Sequence, residues 1–294
     1  MKYGKEAISL VKLIFTGFER KHLPVVAAGL AYYFLMSLFP ALVVLTAVTT
    51  YLPIHNGGGG ATSFIAHLIP HQSLALIEPV LNTITPHRTG LLSFGIITTL
   101  WLSSVGAKGV IAGLDIVYEV RVPRSLWVNR VLAFVLTFAV GALLLFVVIL
   151  TLVGPLVESA LATAVPFQSL WVTVWPYIQW LLAAAFTFTA IELLYLLAPN
   201  VPMARRITVP GALIAATAWL ALVGALGFFF HHFGQLKLNG LYGVFAAPIA
   251  LVIWMKWGAV VILVGAEINV SLQTLKVLRQ SKPEAISHHR KDAA

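Results

Sequence analysis

Leu91–Arg121, LLSFGIITTLWLSSVGAKGVIAGLDIVYEVR, is long and apolar enough to cross a bilayer, yet it carries Lys108 well inside and Asp115 seven residues on. A charge at membrane depth is costly, so it is expected to face protein or a wet cavity rather than hydrocarbon. Gly106, Gly109 and Gly113 accompany it. The Gly109–Gly113 spacing is the small-xxx-small pattern that lets two helices approach closely. Charge and close packing together predict a central helix that the other spans surround.

Working outward, composition agrees with a membrane origin. Of 294 residues, 60% are hydrophobic and only 10% charged, against about 25% charged in soluble domains. Mean hydropathy is +0.93. Apolar runs of about 20 residues predict a multispanning helical protein, and the short alternating segments of an outer-membrane barrel are not found. With no cysteine, a disulfide framework or thiolate metal site is excluded. The first apolar segment is interrupted by Glu19, Arg20 and Lys21 and lacks a cleavage site, so no cleavable signal peptide is expected.

The expected class is all-α: a polytopic membrane protein with spans at about 25–52, 91–118, 129–153, 176–198, 209–230 and 245–270. Residues 1–20 form an amphipathic helix with Ile8, Val11, Ile14, Phe15 and Phe18 on its apolar side. It either lies on the anionic cytoplasmic surface or packs under the bundle. Residues 21–272 form the membrane domain and 273–294 a basic, frayed cytoplasmic tail. Pro40 is expected to kink or unwind the first span. Short interfacial helices are expected in the outer segment 53–90, and a second outer loop at 154–174.

Charge placement sets the orientation. With both termini inside, 15 of the 19 Lys and Arg residues fall in cytoplasmic segments, and only Arg88 and Lys237 fall outside. This is the positive-inside asymmetry. It accounts for the net charge of +9 without a nucleic-acid partner.

Several blocks resemble the YihY/BrkB family of bacterial inner-membrane proteins, some once labelled ribonuclease BN. They are AAGLAYYFLMSLFPALVVL at 27–45, LDIVYEV at 114–120, GALIAATAWLA at 211–221 and YGVFAAPIALVIWMKWGAVVILVGAEINVSL at 242–272. The resemblance covers nearly the whole chain, and the last block is its most specific part. It implies a six-helix inner-membrane protein of envelope biogenesis or export, including transport of lipid-like molecules, and it supplies no established substrate.

The candidate transport residues are Lys108, Asp115, Glu192, Lys256, Glu267 and Tyr33. Lys108 and Asp115 share one face of their span about 10 Å apart along the axis, and Lys256 and Glu267 share a face of the last span. The acids all lie toward the cytoplasmic side and the lysines deeper. The five charges could line one polar cavity built by spans one, two, four and six, with the lysines holding the phosphate of an anionic lipid-like or small solute. The competing reading is static: lysines snorkel, and interface acids pair with nearby cations, Asp115 and Glu267 with Arg121 or the tail.

A non-transporting scaffold for envelope machinery is the alternative function. An enzyme is not expected: the nine histidines form no HxHxDH or HExxH array, and GGGG at 57–60 lacks the Lys and Ser/Thr of a phosphate-binding loop. No metal, cofactor or catalytic residue is assigned. Membrane lipids are the expected partners, and the small-residue faces permit a homo-oligomer.

Overall fold

The structure is a computed structural model and describes residues 2–51, 89–143, 146, 168–202, 207–233 and 241–291. Segments 53–88 and 154–167, which the sequence reading places outside, lie outside the described residues with Arg88, Arg205, Arg206, Lys237 and the 57–60 glycines, as do the side chains of Trp171 and Pro248.

Among the described residues the protein is entirely helical. In chain order the helices are α1 (Lys2–Arg20), α2 (Leu23–Tyr51), α3 (Thr89–Val117), α4 (Leu126–Leu143), α5 (Gln168–Leu197), α6 (Val209–Phe233) and α7 (Leu241–Lys291). Four apolar stretches are long enough to cross a bilayer: Leu126–Leu143, Thr173–Leu197, Val209–Phe228 and Ile249–Leu278. The backbone helices α2 and α3 run for 29 residues each, about 44 Å of helix.

Some boundaries differ from the sequence reading. α5 begins at Gln168 and carries Pro176 inside, rather than starting there. α2 continues through Pro40 without unwinding. α7 extends to Lys291, so the stretch expected to fray continues as helix. Leu, Lys, Arg, Gln, Glu and Ala are good helix formers, and residues 272–285 are rich in them.

Close packing of α2 on α3 follows from the glycines of the opening stretch. A methyl group at Gly106 would come within 2.7 Å of the Ser37 hydroxyl, and at Gly109 within 2.6 Å of the Tyr33 ring. At Gly113 it would meet Leu30 at 3.1 Å and Leu263 of α7 at 3.3 Å. Only small residues allow backbones this near.

The centre of the bundle is nevertheless α7, which packs against α1, α2, α3 and α6 and is the most buried of the four long apolar stretches. Ala259, Leu263, Ala266 and Asn269 are fully buried. Gly211 of α6 lies against the Gly265 carbonyl of α7. Small residues on both sides of α7 let it touch more neighbours than α3, whose glycines are taken up largely by α2.

Among the described residues two non-glycine residues adopt left-handed conformations: His22, with φ of 50°, and Glu119, with φ of 51°. Each ends a helix. At the end of α3, Val120 N–H bonds the Asp115 carbonyl at 2.9 Å and Glu119 N–H bonds that of Ile116 at 3.2 Å. That pair is a Schellman cap, where glycine is the usual residue at the left-handed position.

Candidate functional site

The two left-handed turns bring their neighbours together. Lys21, between α1 and α2, is 6% exposed and places Nζ 2.7 Å from Glu267 Oε2, 2.7 Å from the Val117 carbonyl and 3.5 Å from Glu119 Oε1. Glu267 is 3% exposed. Its carboxylate rests on Gly17, where any side chain would collide with it. One ammonium thus joins the α1–α2 turn, the end of α3 and α7. Arg20 pairs with Glu119 outside this knot, with both partners largely exposed, so that contact contributes about 0–1 kcal/mol. The buried pair is different: removing one partner leaves an uncompensated charge and costs about 3–5 kcal/mol.

Glu267 was expected to pair with Arg121 or the tail; its partner is Lys21. The sequence signal for this is Gly17, one turn before Lys21, whose N–H bonds the Gly17 carbonyl just past the end of α1. The opposite choice of faces leaves Ile8, Val11 and Phe15 of α1 exposed, while Gly17 and Phe18 turn toward the bundle. The helix therefore packs on α7 and also presents an apolar stripe outward.

Asp115 and Glu192 lie at the same end of the bundle. Asn200 N–H donates to Asp115 Oδ1 at 3.0 Å, tying the α5–α6 connection to α3. The Thr208 hydroxyl donates to Glu192 Oε1, and Glu192 Oε2 is buried without a hydrogen-bond partner among the described residues. Three side chains not singled out from the sequence complete this end. Arg124 donates to the Ala198 carbonyl at 2.7 Å and to the Leu197 and Pro199 carbonyls at 3.2 and 3.1 Å. Those are the orphan acceptors expected where a helix stops at a proline. Asn269 Oδ1 accepts from Gly211 N–H at 2.7 Å, capping the start of α6 from another helix. Tyr195, fully buried, donates its hydroxyl to the Ile262 carbonyl at 2.6 Å. The three acids are thus brought to one end, and each is held by a different partner.

The lysines are placed differently. Val117 and Glu267 meet at Lys21, and Gly113 meets Leu263, so α3 and α7 run in the same direction and in register. Lys108 lies nine residues before Val117 and Lys256 eleven before Glu267, about 14 and 17 Å along their helices. They come to a common level, and both are exposed. Tyr33 is 40% exposed, with its ring over Gly109 and edge-on to Tyr32.

A cavity of about 280 Å³ opens between α2 and α7, with walls that include Phe34, Val110, Leu136, Ile191, Trp219 and Ile262. It takes residues from all six of these helices, including the four expected to build one. Its character is apolar where a polar cavity was expected, and none of the six candidate residues lines it. The hydroxyls of Ser37, Thr137 and Thr187 on its wall are turned to the carbonyls of Phe34, Ala133 and Ala183 on their own helices. The physical reason is packing: the charges lie at the bundle's end or outside it, and the space between helices is left to aliphatic and aromatic groups. Among the described residues no three His, Asp or Glu side chains come together as a metal site would require.

The family described as Virulence factor BrkB matches residues 14–289. The ribonuclease-like protein YfkH of Bacillus subtilis (strain 168) is 29% identical over 94% of this chain and 99% of its own length. A UPF0761 membrane protein of Paraburkholderia xenovorans (strain LB400) is 26% identical over 89% of this chain, and one of Neisseria meningitidis serogroup B (strain ATCC BAA-335 / MC58) is 26% identical over 87%. The chain spans about three-fifths of these last two, 59% and 61%. No solved structure matches it. A helical bundle with apolar spans, matched over nearly its whole length by one family, is a membrane protein of the BrkB/YihY family.

Proposed function

We propose that the protein is a six-span bacterial inner-membrane protein, both termini cytoplasmic, that binds and moves a lipid-like amphiphile of the cell envelope. The observation that carries this reading is the apolar cavity shared by α2–α7. Its volume of about 280 Å³ is at the small end of ligand pockets. With its hydroxyls already bonded to backbone, it suits a stretch of hydrocarbon chain and not a headgroup. In this reading the charged part of the ligand stays outside the cavity and meets the exposed lysines. The protein is not an enzyme on this account, and the ribonuclease in the relative's name stays with that relative.

The test is lipid movement in proteoliposomes, followed with a fluorescent phospholipid. Wild-type vesicles are expected to exchange lipid between leaflets faster than empty ones. Thr187→Trp, which fills the cavity from α5, is expected to lose most of that excess while retaining its fold.

A second reading has its own support. Asp115, Glu192 and Glu267 are held by Asn200, Thr208 and Lys21, as a static scaffold for envelope machinery would hold them. Wild-type vesicles that move lipid no faster than empty ones would decide for the scaffold.

A further inference from the structure

We infer that the exposed face of α3 is a track for the phosphate of an anionic lipid headgroup, with Lys108 as its station within the membrane. The inference rests on the lipid reading above and names the part of the ligand that the apolar cavity leaves out.

Trp101, Lys108 and Asp115 recur every seven residues, so they share a face with a drift of only about 20° per step. Lys108 and Ala112 are exposed along it, and Trp101 is 48% exposed. This face is distinct from the one on which Gly106, Gly109 and Gly113 receive α2. A second cation joins it from α4. The Arg130 guanidinium lies 3.5 Å above the Trp101 ring and donates to the Trp101 carbonyl at 3.1 Å. Trp101 precedes Lys108 by about 10 Å of helix and Val117 by about 24 Å. Two cations thus stand along α3, Arg130 at Trp101 and Lys108 about 10 Å on.

Neither cation takes part in the ion pairs among the described residues, and Arg130 Nε is buried without a hydrogen-bond partner there. The sequence explains why. It has no acidic residue between Glu78 and Asp115, and none between Glu192 and Glu267. The acids of the spans lie at the α1 end, where Asn200, Thr208 and Lys21 engage them. Among the described residues no carboxylate, in one chain or in a second copy of it, stands at the level of Lys108. With no described carboxylate to meet this cation, a phosphate carried on acyl chains is the anion a bilayer supplies to it. Lys suits the role because a mobile ammonium attracts phosphate without fixing its orientation, while the Arg130 fork offers a directed contact.

The test uses the full chain in detergent, with lipid retention read by native mass spectrometry for phosphatidylglycerol and for a diacylglycerol that lacks phosphate. Lys108→Gln is expected to lower phosphatidylglycerol retention about tenfold and to leave diacylglycerol unchanged, with Lys108→Arg close to wild type. Lys276→Gln, exposed elsewhere on α7, controls for net charge. Equal phosphatidylglycerol retention by wild type and Lys108→Gln would overturn the inference. So would a disulfide-linked pair of Ala112→Cys chains in membranes, since the chain has no other cysteine and a second copy would then cover this face. Retention that depends on Lys108 in a protein that moves no lipid upholds the track and removes the transport reading. Lipid movement with retention indifferent to Lys108 does the reverse.

Discussion

The knot at Lys21 makes an asymmetric prediction. Lys21→Met strands the Glu267 carboxylate at 3% exposure, because the other nearby cation, Arg20, is committed to Glu119. The expected loss is about 3–5 kcal/mol. Glu267→Gln is milder. Lys21 keeps the Val117 carbonyl at 2.7 Å and Glu119 at 3.5 Å, and the new amide oxygen still accepts, so about 1–3 kcal/mol is expected. Replacing both together, Lys21→Met with Glu267→Gln, removes the charges along with their desolvation cost and should return to within about 1 kcal/mol of wild type. Reversible unfolding in mixed micelles of increasing SDS content, read by tryptophan fluorescence, gives all four corners of the cycle. The coupling between the two sites is then expected at about 3 kcal/mol or more. Equal losses from the two single variants, or a coupling near zero, would refute a buried pair shared by three segments.

The glycines divide into two groups by what lies above them. Gly109→Leu, against Tyr33, is expected to cost about 1–3 kcal/mol, whereas Gly224→Ala, with nothing within 4 Å, should stabilise α6 by up to about 1 kcal/mol; the same unfolding assay compares them. Arg124→Ala leaves three carbonyls at the end of α5 without their donor, and faster hydrogen exchange in the last turn of α5 is the expected result, with a loss of about 1–3 kcal/mol. Asn269→Leu removes the cap on Gly211 N–H and is expected to cost about 1–2 kcal/mol, seen as a lower midpoint of SDS unfolding.

The helices and the α2–α3 contact were legible because they depend on local pattern. Twenty apolar residues read as a span wherever they pack, and Gly106, Gly109 and Gly113 announce a close neighbour before that neighbour is known. The shared face of Lys108 and Asp115 follows from a spacing of seven alone. The partner of Glu267 was not legible, because Lys21 is 246 positions away and the turn that delivers it depends on left-handed His22. Arg124 looked like one more topogenic charge, since nothing local tells a solvated arginine from one folded back onto three carbonyls. The apolar cavity escaped for a related reason. Its wall takes one or a few residues from each of six helices, and intramembrane charges drew the expectation toward a polar space that helix packing filled with side chains such as Leu136 and Ile191.

The contact between Lys21 and Glu267 also constrains the order of assembly. A ribosome adding about 5–20 residues per second needs roughly 12–50 s to travel from one to the other. Through that interval the ammonium has no carboxylate from α7 to meet, and α1 cannot take its final seat on a helix that does not yet exist. Helix α1, made before α7, is therefore among the last to be locked. Its apolar stripe of Ile8, Val11 and Phe15 gives it somewhere to wait: the membrane surface, beside the site where the last span will enter.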